Sequence, residues 1–95
     1  MLHRDREGGY LTVSNRPLRD GALSLKAKGL FVLMASLPPD WRYSVEGLAA
    51  ICREGRDAVR AGVRELERAG YLRRESDGYE LFERPQRQIS PDLIK

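Results

Sequence analysis

A small α+β domain is what this sequence predicts, and three observations predict it. Three helical segments lie between Ser24 and Gly70, the second and third separated by a short turn built on Gly55. Beyond Gly70 the apolar period changes to two on either side of Ser76-Asp77-Gly78. Ahead of the helices, Tyr10-Leu11-Thr12-Val13-Ser14 is a β-rich run closed by Asn15 and Pro17. Strand, helix, helix-turn-helix, hairpin is the order of a winged helix-turn-helix domain: three helices, a β-hairpin wing and an N-terminal strand.

Each element has a local reason. Residues 1–9, ending in Gly8-Gly9, have no periodicity and read as a flexible arm. The strand follows, and Asn15 to Gly21 reads as a polar connection. Ser24 is an N-cap for a helix over Leu25–Leu37, apolar nearly all round after Lys28 and therefore expected to be central and mostly buried. Pro38-Pro39 ends it. Trp41 and Tyr43 occupy a connector expected to staple the first helix to the second. Ser44 caps a helix of about two turns, with Val45, Leu48, Ala49 and Cys52 on its apolar side. A third helix runs from Arg56 to Ala69 and stops at Gly70. The wing pairs Tyr71–Glu75 with Tyr79–Phe82, and Asp77-Gly78 supplies a turn that tolerates positive φ. A lone hairpin is marginal, so the first strand is expected beside it in a three-stranded sheet. The domain is thus read as residues 10–83, with 84–95 as a tail or linker.

Ninety-five residues make one small domain, and 41% hydrophobic residues are enough for a core. No apolar run approaches the roughly 20 residues of a membrane span, and the charged N-terminus lacks a signal-peptide stretch. Cys52 is the single cysteine, which excludes an internal disulfide and fits a reducing cytoplasm. One cysteine and one histidine exclude a zinc site of Cys/His type. Asp5, Glu7, Glu80 and Glu83 form no acid–base pair. No nucleophile has a base beside it and no glycine-rich phosphate loop occurs, so neither an enzyme nor a cofactor is expected.

Charge is more informative. The three lysines leave 14 arginines among the 17 basic residues, and seven of these lie between Arg53 and Arg74 against four acids. That segment holds the chain's entire formal excess of +3. At about 100° per residue, Val59, Gly62, Val63, Leu66 and Gly70 share one side of the third helix. Arg56, Arg60, Arg64 and Arg68 share another, at (i, i+4) spacing. Such a helix fits the major groove of B-DNA.

Roles follow by position. Arg56 and Arg60 are candidates for base edges, and Arg53 and Arg64 for phosphates, with Gly55 freeing the turn. Ser44 either caps the second helix or opens its N-terminus to a phosphate. Arg73 or Arg74 reaches the backbone from the wing, only one of them facing DNA because strand residues alternate. The short wing with Asp77 at its tip argues against deep minor-groove insertion. Asp57, Glu65 and Glu67 can pair locally with Arg60, Arg64 or Arg68. Lys26 and Lys28 are read as solvated, Cys52 as a small core residue, and His3 as no ligand.

The stretches Leu23–Leu30, Leu37–Ala49, Arg53–Arg60 and Glu65–Leu72 resemble the N-terminal winged-helix domain of bacterial plasmid and phage replication initiators and replisome organisers (the DnaD-like N-terminal domain). The resemblance covers about residues 10–83. It implies double-stranded DNA binding in a bacterial or mobile-element setting, within the cytoplasm and on the nucleoid. Transcriptional repressors and autoregulators use the same module, and a protein-interaction role in a replication, conjugation or phage assembly is a further reading. Tight, specific binding by one recognition helix calls for a homodimer on a repeated site. The arm, the first helix and the tail all stay open as its surface.

Overall fold

The computed structural model describes residues 3–4 by their backbone, and residues 9–38 and 40–86 in full. Its elements are β1 (His3–Arg4), β2 (Leu11–Thr12), α1 (Asn15–Leu18), α2 (Leu25–Ser36), α3 (Val45–Ala50), α4 (Arg56–Ala69), β3 (Leu72–Glu75) and β4 (Gly78–Leu81). The three expected helices are α2, α3 and α4, and the hairpin β3–β4 is the wing. No helix among the described residues is long and apolar enough to cross a membrane.

Three serines start three helices. Ser14 Oγ accepts from Arg16 N–H, Ser24 Oγ from Ala27 N–H and Ser44 Oγ from Gly47 N–H, each satisfying a first-turn donor with no partner inside its helix. Ser24 does more. Its backbone N–H donates to Glu65 Oε1 (2.9 Å) and its hydroxyl to Glu65 Oε2 (2.6 Å). In a capping box the reciprocal carboxylate comes from the third residue of the same helix. Here that position is Ala27, and α4 supplies the carboxylate instead. Gly70 ends α4 at φ 91°, as its left-handed stop requires.

The core forms where α2, α3, α4 and the wing meet. Phe31, Met34, Leu48, Val63, Leu66, Tyr71 and Leu72 are buried. Gly62 lets α4 approach α2 closely, because a Cβ there would stand 2.9 Å from Leu30 Cδ2. Phe31 and Tyr71 meet edge to face, with centroids 6.1 Å apart. Tyr43 joins the connector to α2 by donating its hydroxyl to Met34 O (2.7 Å), as expected of a staple. Trp41 packs half-buried against the same core.

Several expectations are corrected. No three-stranded sheet forms among the described residues: β2 pairs with β1 (His3↔Thr12, Arg4↔Leu11), and β3–β4 stands as a separate two-stranded sheet. The wing dispenses with a third strand because Leu72 is buried and Tyr79 and Leu81 pack on the helical core. Within the polar connection lies α1, a single turn with Ser14 as cap and buried Pro17, whose fixed φ suits a first turn. α2 is less enclosed than its composition implies, since Leu25 is 86% exposed. α3 ends at Ala50, so Cys52 sits half-buried in the following turn rather than in the core. The wing turn centres on Ser76-Asp77, one residue earlier than expected; Glu75 faces Gly78, and only Gly78 takes positive φ (136°). Pro39 and residues 87–95 lie outside the described residues, as do most of the arm and its histidine side chain.

Two carboxylates tie distant segments and set the pH response. Asp20 Oδ2 accepts from Tyr71 OH (2.7 Å) and Oδ1 from Ala22 N–H (2.9 Å), which holds its carboxyl below the usual range. The Ser24 hydroxyl, then its N–H, does the same for Glu65. Burial, then the bond to Asp20, pushes Tyr71 up to about 12. Depressed carboxyl values stabilise the fold above the unfolded carboxyl range, and that contribution disappears on acidification through the folded values. A raised tyrosine acts oppositely, since between about pH 10 and 12 the unfolded phenol ionises while the folded one keeps its proton. Denaturant titrations across pH should therefore show stability falling on both limbs, with Tyr71→Phe flattening the alkaline one. An alkaline limb unchanged in that variant would refute the assignment.

Candidate nucleic-acid interface

α4 separates its residues by face. Val59, Gly62, Val63 and Leu66 are buried, while Arg56, Arg64 and Arg68 are exposed and Arg60 is half-buried. Glu65, used by the α2 cap, lies between these sides. The N-cap Gly55 makes no side-chain hydrogen bond, so no side chain competes for the first-turn amides of α4. Among the described residues, Arg53, Arg56 and Arg64 form no ion pair. Arg60 meets Asp57 at 3.4 Å across an exposed contact that is worth little in water.

The wing arginines point to different partners. Arg73 donates to Glu75 Oε2 (2.8 Å) and Glu80 Oε1 (3.0 Å) and lies 4.9 Å over the Phe82 ring. Both glutamates push its pKa further up, Glu75 most, so its charge is fixed but locally compensated. Arg74 stands on the other side of the strand. It lies over Tyr79, donates to the Tyr79 hydroxyl (3.3 Å) and comes within 3.8 Å of Glu67 on α4. At about 100° per residue, Glu67 falls among the arginines of α4, so Arg74 extends their row into the wing. The local pairing expected for Glu67 is therefore replaced by a contact with the wing, and Glu65 is taken by Ser24.

Ser44 is half-buried and engaged as a cap (Gly47 N–H, 3.0 Å). The connector just before it touches the wing tip: Arg42 pairs with Asp77 at 2.9 Å, both exposed, and a Cβ on Gly78 would stand 2.5 Å from Tyr43 O. Sequence reading passed over Arg42. Its partner is distant in the chain, so no periodicity could have indicated it.

The structure thus places Arg56, Arg60 and Arg64 on one side of α4, with exposed Arg53 and Gly55 in the turn just before it, joins Arg74 to that row through Glu67, and engages Arg73 with Glu75 and Glu80 instead. A family model described as a helix-turn-helix domain matches residues 21–72, from just before α2 through α3, the Gly55 turn and α4 to the start of the wing. No curated protein and no solved structure matches the chain.

Proposed function

The chain belongs to the helix-turn-helix domain family, and from that premise we propose that it binds double-stranded DNA with α4 in the major groove. The observation that carries the reading is the arginine row of α4, ion-paired among the described residues only by the exposed Arg60–Asp57 contact, on a helix whose opposite side is locked into the core. Arg56 and Arg60, nearest the N-terminus, read base edges; Arg53 and Arg64 hold phosphates. Arg74 is the wing residue that reaches the backbone, exchanging Glu67 for a phosphate. Asp77 stays with Arg42 at the tip, which keeps the wing out of the minor groove. The resemblance of its sequence to replication initiators supports a role in the replication or regulatory machinery of a bacterium or mobile element, acting on the nucleoid. Initiator and repressor share this chemistry and differ in the site bound.

Phosphate contacts release counterions, so affinity should fall by about 0.9 in log K per contact for each tenfold rise in salt. Titrating labelled duplex at about 50 and 200 mM salt should show weakening by an order of magnitude or more. One observation favours a second reading: Asp57, Glu67, Glu75 and Glu80 offset arginines on α4 and the wing, as a protein-binding surface would. No duplex binding at the lower salt would abandon the DNA reading for that one.

A further inference from the structure

Beside the arginine row, α2 presents an unpartnered apolar side. Leu25 projects at 86% exposure and borders a cleft of about 430 Å³. Leu25, Gly29 and Leu33 of α2 form one wall, with Cys52 and Ala58 opposite. The space in front of Gly29 is open, with nothing within 4 Å of where a Cβ would stand. A helix apolar nearly all round ordinarily has neighbours on both sides; α2 has them on one. By helical position Ala58 lies about 80° from Arg68 and about 120° or more from Arg56, Arg60 and Arg64, so the cleft flanks the proposed reading arginines rather than coinciding with them.

We infer that this face joins two copies of the chain about a twofold axis, with Leu25 of each copy seated in the cleft of the other. The charges bordering the cleft identify the occupant. Lys26 lines it from α2 and Glu54 from the turn before α4, both exposed and neither ion-paired among the described residues. In a twofold interface, residue i of one copy meets j of the other and j meets i. With Lys26 set against the second copy's Glu54 the contact is made twice, so the surface complements itself in charge. A small molecule inside the cleft would leave the projecting Leu25 in water. A dimer covers it.

The inference is independent of the DNA reading, because its test contains no DNA. Sedimentation velocity on the full chain, from micromolar to millimolar concentration, should show a monomer–dimer equilibrium. Leu25→Glu should weaken it by about tenfold or more with an unchanged melting temperature, because an exposed first-turn position accepts a carboxylate. Lys26→Glu and Glu54→Lys should each weaken self-association. Mixing those two variants should restore a dimer, since both contacts again join opposite charges. A parent chain that stays monomeric throughout, a Leu25→Glu chain that dimerises like the parent, or a mixture no better than its components would each overturn the inference. DNA binding by a monomeric parent would leave the function standing and remove only the dimer.

Discussion

Replacing Arg56 and Arg60 together with alanine should weaken duplex binding about 30-fold or more at low salt, taking about 1–3 kcal/mol for each base contact. The fold should not notice. Arg56 makes no ion pair among the described residues, and Arg60 has only its exposed contact with Asp57; surface changes of this kind stay within about 0.5 kcal/mol. Arg64→Ala makes the contrast. As a phosphate contact, its loss should weaken all duplexes alike and lower the salt slope by about one, whereas the paired substitution should also relax sequence preference. Binding by fluorescence anisotropy, with circular dichroism as the control for folding, separates these outcomes. Parent-like affinity in the double variant would remove α4 as the reading element.

Gly70→Ala should act oppositely, costing stability of about 2–3 kcal/mol from strained backbone and displaced neighbours. Gly70 holds φ 91°, and a Cβ there would stand 2.7 Å from Gln86 O and 2.9 Å from Gln86 N. Those atoms belong to backbone held in place by the bond from Gln86 N–H to Gly70 O (2.7 Å), so they cannot swing aside as a side-chain tip would. Gly21→Ala, with no positive φ and nothing within 4 Å, should stay within about 0.5 kcal/mol. Urea denaturation should move the midpoint for Gly70→Ala at an unchanged slope. Equal midpoints for the two variants would mean that the stop at Gly70 tolerates a side chain.

What was legible in the sequence depended on how local its cause was. α4 begins at Arg56 and ends at Ala69 as read, because Gly55 and Gly70 bracket a strong apolar stripe. Ser24 and Ser44 cap as read, since a hydroxyl and an amide three residues on settle the matter. The wing's existence was plain, but its turn shifted by one residue, because Gly78 serves the contact with Tyr43 O as well as the turn. β2 lies inside the strand read over Tyr10–Ser14, but its partner β1 has two residues, too few for alternation to register, so the pairing left no trace. α1 had its signal in Ser14 and Pro17 but spans one turn, below what periodicity detects. At the candidate interface, the arginine row followed from spacing alone. The partners that modify it did not: Glu67 with Arg74, Glu65 with Ser24 and Arg42 with Asp77 each join residues from different elements, and only the fold brings them together.

The division of α4 into a held side and an open side bears on how such a protein changes over generations. Substitutions at Gly62, Val63 or Leu66 disturb the core, and those at Glu65 undo the start of another helix. Arg56, Arg60 and Arg64 carry almost none of that burden, so they can be exchanged within about 0.5 kcal/mol of the parent. If α4 reads DNA as proposed, a lineage can therefore rewrite what it recognises one position at a time, through intermediates that all fold. New specificity is reached by drift along the open side while selection for stability acts on the other.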